Sequence, residues 1–124
     1  MPAKFTPADI VRRYRESGVL PRTGHENVVI NPETGRWELR CKDAGCCAMG
    51  IAVLDEPWDG VSVFDRAPQE PRHADIAKQL GVNYSAFASG FDGNGVLLTT
   101  QEQRDSYELG KACREAVLAA GYKL

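Results

Sequence analysis

The chain lacks any long apolar run. Its longest uncharged apolar stretch, Gly45 to Leu54, is far shorter than the roughly 20 residues that a membrane-spanning helix needs. The first residues, Met1-Pro2-Ala3-Lys4-Phe5, lack the apolar core of a secretory signal. Both absences point to a cytoplasmic protein with no membrane contact. Excess positive charge is missing too: 15 Lys and Arg stand against 17 Asp and Glu, for a formal charge of -2. Proteins that hold nucleic acid normally show a basic patch, because neutralising phosphates drives the binding. Nucleic acid is therefore a disfavoured partner.

Several catalytic and metal signatures are also missing. No Gly-rich phosphate loop follows a strand, and no Ser, His and Asp set has a nucleophile-elbow context. Asp92-Gly93-Asn94-Gly95 starts like a calcium loop, but Val96, Leu97 and Gln103 stand where an oxygen ligand, a glycine and an acid are required. Those four residues read better as a helix stop. Nothing in the sequence calls for a cofactor.

What is present is an ordinary globular balance. The 124 residues are 43% hydrophobic and 26% charged, enough for one domain spanning 1–124 with its own core. Thr6 reads as the N-cap of a first helix, with Pro7 at its first position, a short Asp9 in the capping-box position and a stop at Gly18. Phe5 and Ile10 form a hydrophobic staple, and Ile10, Val11 and Tyr14 form its apolar face. Residues 27–30 and 36–39 are short strand-like runs around Asn31-Pro32-Glu33-Thr34-Gly35, whose Pro and Gly supply turn dihedrals. Val61 to Phe64 is a candidate third strand. Gly45 to Leu54 reads as a buried central helix, whose small Ala48, Gly50 and Ala52 admit close neighbours. Further helices are expected from Asp75 to Leu80, from Asn83 to about Phe91, and from Thr99 or Thr100 to about Ala120. Leu109, Cys113, Ala116, Val117 and Ala120 would form the buried stripe of the last one. The expected fold is α+β: a mostly helical single domain of four to five helices with one β-hairpin.

Residues 75–87 resemble the helix-turn-helix of bacterial transcription regulators. The small Ala77 stands at the crossing, Gly81 in the turn, and Val82 and Phe87 close the local core. The resemblance implies that Asn83, Tyr84, Ser85, Ala88 and Ser89 enter the major groove. The chemistry opposes it. No Lys or Arg occurs from Gln79 through Gln103, although phosphate anchoring and base readout lean on them. Arg12, Arg13, Arg15 and Arg22 could form a separate basic edge, or simply a solvated helix face.

The four cysteines, Cys41, Cys46, Cys47 and Cys113, admit three readings. As zinc ligands their spacing is poor, because neighbouring Cys46 and Cys47 diverge by about 100° on a helix and His25 and His73 stand alone. As reactive thiols, Cys46 and Cys47 are favoured, since the first turn of a helix lowers a thiol pKa. As core residues they pack as small apolar groups. Among the acids, Glu102, Asp105 and Glu108 share a solvated face of the last helix. Asp55 and Asp59 flank Trp58 in a loop, a plausible place for contacts.

The Cys46-Cys47-Ala48-Met49-Gly50 segment, with Phe91-Asp92-Gly93 further on, resembles short bacterial and phage proteins. Those carry a Cys-Cys-x-x-Gly helix and a later helix that ends in an aromatic-Asp-Gly turn. The resemblance implies no activity. It implies that Cys46, Cys47, Gly50, Gly90 and Phe91 are helix-packing positions. The leading expectation is a small non-catalytic binding protein with a protein partner, using Asp55, Trp58, Asp59, Asp92 and Asn94. The alternatives are a DNA-binding regulator using Asn83, Tyr84, Ser85 and Ser89, and a thiol or zinc protein using the cysteines.

Overall fold

The computed structural model describes residues 3–58 and 73–124. The expected strand at 61–64 and the candidate contact residue Asp59 lie outside the described residues.

Helix α1, Pro7–Ser17, begins where the sequence signals. The Thr6 hydroxyl accepts the Asp9 amide at 3.2 Å, and the Asp9 carboxylate accepts the Thr6 amide at 2.9 Å. The short Asp therefore closes the capping box, and the Thr6 amide donating to its carboxylate is the main reason its pKa lies below the usual range. Gly18 ends the helix in the left-handed region, at φ 73°.

Strands β1, Val28–Ile30, and β2, Trp37–Leu39, pair antiparallel with Ile30 opposite Trp37 and Val28 opposite Leu39. A two-stranded ribbon is marginal alone. Here the chain after α2 lies on the far side of β2: Trp37 donates to Glu56 O, Asp55 to Trp37 O and Trp58 to Gly35 O. The inner face, Val28, Ile30 and Trp37, is buried in the common core.

Helix α2, Ala48–Val53, is shorter than the apolar run suggests, and all six of its residues are buried. Gly45 and Cys46 are not helical. Cys46 donates to Leu20 O and accepts from the Arg22 amide, making a parallel bridge to the chain that follows α1. An apolar run cannot by itself separate helix from extended chain. Gly50 serves a different neighbour from the expected helix: a Cβ there would fall 2.0 Å from Glu26 O.

Helices α3, His73–Leu80, and α4, Tyr84–Asp92, join at Gly81, at φ 77°. Helix α5, Gln101–Ala119, starts from a complete Thr100–Gln103 capping box. Its buried stripe is Ser106, Gly110, Cys113 and Val117. Leu109, Ala116 and Ala120, expected on that stripe, are half-buried at its margins. Among the described residues the fold is thus five helices and one hairpin, an α+β and mostly helical arrangement. α2 sits against both α1 and α3, and α5 against α1 and α4.

The α4–α5 crossing is a reciprocal glycine contact. A Cβ on Gly90 would lie 2.3 Å from Tyr107 O, and a Cβ on Gly110 would lie 2.3 Å from Phe87 O. Backbone, not a flexible side chain, fills both places. Gly90→Ala and Gly110→Ala should each lower stability by at least roughly 1–3 kcal/mol, the usual cost of overpacking. Gly95→Ala, with open space around it, should leave the urea midpoint almost unchanged. Equal midpoints for the three variants would refute the crossing.

Candidate functional site

The site grows from a loop that the sequence makes rigid. Asn27 is 1% exposed and takes the left-handed conformation, φ 51°. Its amide nitrogen donates to Cys41 O and Ala44 O, and its side-chain oxygen accepts the Cys41 amide. A buried Asn with its donors and acceptor engaged fixes the path on either side of it. His25 O accepts the Cys47 amide at 2.7 Å, and Glu26 O lies against Gly50. The 24–26 loop is thereby laid over the start of α2. From the other side, Asp92 at the end of α4 accepts the Gly24 amide at 3.0 Å.

Between these walls lies a cavity of about 50 Å³. Cys47, Met49, Phe87 and Phe91, all buried, supply its apolar lining. His25, Glu26, Tyr84, Ala88 and Asp92 complete its lining. Burial pushes the Cys47 thiol up to about 11; the amides of Gly50 and Met49 work against the rise, and the Glu26 and Asp92 carboxylates add to it. Tyr84 is raised by burial, then by Glu26, Cys47 and Asp92. The thiol is therefore neutral at physiological pH.

A larger open groove of about 380 Å³ runs beside α1 and includes Lys4, Asp9, Arg12, Arg13 and Glu56. Its charges answer one another: Arg12 pairs with Asp9 and Glu16, and Arg13 pairs with Glu56 and donates to Leu54 O. Arg12 and Arg13 of the expected basic edge are thus spoken for, which leaves the groove little net field.

The expected site residues fall into separate settings. Asp55 is exposed at φ 66°, and its carbonyl accepts Arg36. Trp58 is half-buried and packs on the core; its indole N–H is buried with no partner among the described residues. Asp92 lines the cavity, and Asn94 is exposed just beyond it. Asn83 caps α4 by accepting the Ala86 amide, while its own amide donates to Ser106. Tyr84 and Ala88 face the cavity, Ser85 is exposed, and Ser89 O accepts the Asn94 amide.

Of the cysteines, only Cys41 is exposed. Cys46 lies before α2 and Cys47 at its N-cap, so neither occupies a helical first turn. Burial raises Cys46 and Cys113 to about 12 each, opposite to the activation expected from a helix dipole. Among the described residues no group of three or more His, Cys, Asp and Glu could hold a metal ion. Sequence reasoning missed His25, Glu26 and Met49 as cavity residues. Neither periodicity nor motif marks them; only the neighbouring Gly24 and Asn27 hint at a specially shaped loop. No protein-family model, curated protein or solved structure matches the chain.

Two measurements check the thiol assignments. At neutral pH a colorimetric disulfide reagent should titrate Cys41 quickly, and the other three only after unfolding. Their folded pKa values exceed the ordinary value near 9. Stability should therefore be fully present below about pH 9 and decline as pH rises towards 11–12, because the unfolded chain releases those protons first. Fast native labelling of Cys46 or Cys47, or flat stability across that range, would contradict the burial account.

Proposed function

We propose that this is a non-catalytic binding protein that engages a protein partner. Its contact face comprises the 24–26 loop, the start of α2, and α4 with its Asp92–Asn94 turn. The observation that carries this reading is a small cavity at this face, lined by apolar residues together with Glu26 and Asp92. The thiol in it is held protonated, which suits packing against a guest and not nucleophilic attack. Just past the turn the chain exposes Val96 and Leu97, Leu97 to 84%, and apolar exposure beside a pocket fits a protein partner. Free thiols suit a reducing compartment, and a cytoplasmic setting belongs to this reading.

The DNA-binding alternative has less support. A reading helix needs a free face for the major groove. One side of α4 meets α5 at Gly90, and another meets the 24–26 loop through Tyr84, Ala88 and Asp92. That leaves Ser85 as the fully exposed member of the expected reading set. The protein should pass through a DNA column at low salt; retention that falls as salt rises would favour the regulator instead.

The contact face itself is tested with a photocrosslinking residue placed in cells at Asn94, or at Glu33 in the distant turn of the hairpin. The reading predicts a discrete crosslinked species from position 94 and none from position 33. Crosslinks from 33 alone, or from neither position, would overturn it.

A further inference from the structure

The turn after α4 presents an asparagine and a glycine that nothing in the fold restrains from reacting with each other. We propose that Asn94 is a self-modifying site, where the Gly95 amide nitrogen displaces the side-chain amide and leaves aspartate or isoaspartate. This chemistry needs no partner, although the turn belongs to the contact face named above.

The chain has four asparagines, and the fold treats one of them differently. Asn27 is buried, with both ends of its side-chain amide engaged by the 41–44 backbone. Asn31 precedes Pro32, whose nitrogen carries no proton to lose. Its side chain also donates to Glu38 and accepts the Glu33 amide. Asn83 caps α4 through the Ala86 amide, and the residue after it, Tyr84, is already helical. Asn94 is exposed, and its side chain makes no hydrogen bond among the described residues. Only its backbone is held: its amide donates to Ser89 O, and its carbonyl accepts the Tyr107 hydroxyl at 3.3 Å.

The nucleophile is equally free. Gly95 is exposed, lies outside any helix or strand, and its N–H makes no hydrogen bond among the described residues. No atom stands within 4 Å of where its Cβ would be, so neither a side chain nor a neighbour crowds the attack. The bonds balance with water as the only co-reactant. The Gly95 nitrogen gives its proton to solvent base and bonds to Asn94 Cγ. The Cγ–Nδ2 bond breaks, and that nitrogen takes a proton from solvent and leaves as ammonia. Water then opens the cyclic succinimide. Opening at Cγ gives aspartate; opening at the main-chain carbonyl gives isoaspartate, whose backbone runs through Cβ and Cγ.

Either product changes the turn. A carboxylate replaces a neutral amide just past the C-terminus of α4, where the helix dipole disfavours negative charge. Isoaspartate also lengthens the main chain between two anchors, the Asn94 amide on Ser89 O and the Thr99 amide on the Gln103 side chain.

The experiment incubates the whole folded protein at neutral and mildly alkaline pH and maps its peptides by liquid chromatography and mass spectrometry. Asn94 should convert first, into separate aspartate and isoaspartate peptides. Conversion should be faster at the higher pH, because attack needs the deprotonated nitrogen. An isoaspartate-specific carboxyl methyltransferase should label the aged protein and not the fresh one. Gly95→Ala, which has room for its methyl group, should slow the conversion several-fold by crowding the nitrogen. Asn94 should react about as fast in the folded protein as in urea. An Asn94 that stays intact when folded and converts readily in urea would mean that the turn holds it out of reach, and would overturn the inference. So would earlier conversion of Asn27 or Asn83, or an unchanged rate in Gly95→Ala. The crosslinker at position 94 replaces this asparagine, so the binding reading stands or falls separately.

Discussion

Three missing side chains set the geometry on which the rest depends. At Gly90 and Gly110 the backbones of α4 and α5 come so close that a Cβ would meet a carbonyl oxygen at 2.3 Å. At Gly50 the Glu26 carbonyl comes closer still, within 2.0 Å of where a Cβ would sit. The first pair fixes α4 on the longest helix. The third fixes the 24–26 loop on α2. The cavity lies between α4 and that loop, so close backbone approach positions both of its walls. Interiors packed to crystal-like density do not absorb an extra methyl easily, which makes these contacts constraints and not conveniences.

Polar groups inside the fold add specificity to that packing. The Trp37 indole donates to Gln79, and Gln79 donates to Pro57 O, tying the hairpin to α3. The buried Tyr14 hydroxyl donates to Cys46 O, tying α1 to the segment before α2; burial, above all, raises its pKa. Each such bond contributes about 0.5–1.5 kcal/mol net, but losing one partner costs about 1–3 kcal/mol because the other is left buried and dry. The network thus penalises alternative packings more than it stabilises the native one.

Local signals were legible in the sequence where the chain's own neighbours decide the outcome. Thr6 with Asp9, Thr100 with Gln103, Asn83 before α4, and the glycines at 18 and 35 all act within a few residues, and the helices and hairpin appear where they point. The run from Gly45 to Leu54 shows the limit. Its first residues pair with the chain after α1, about 25 residues away in sequence, and nothing in their composition announces that partner. The candidate site was legible only in part. Asp92 stood out as a turn residue beside the helix stop, yet its role depends on Gly24, 68 residues away. His25, Glu26 and Met49 carry no motif because a cavity wall is a meeting of distant segments. The thiols were legible as small apolar core groups, and Cys46, Cys47 and Cys113 are buried; what the apolar run misplaced was the helix start, and with it the dipole suggested at Cys46 and Cys47.

The account turns on whether the cavity walls are held in place in the free protein, and the Gly24 amide reports that directly. Gly24 is exposed, so its N–H would exchange rapidly with solvent unless its bond to Asp92 holds. Amide hydrogen exchange should find Gly24 well protected in the free protein and lose that protection in Asp92→Ala. Exchange of Gly24 at the rate of an unstructured chain in the wild-type protein would mean that loop and helix are not joined, and the preformed site would fall with them.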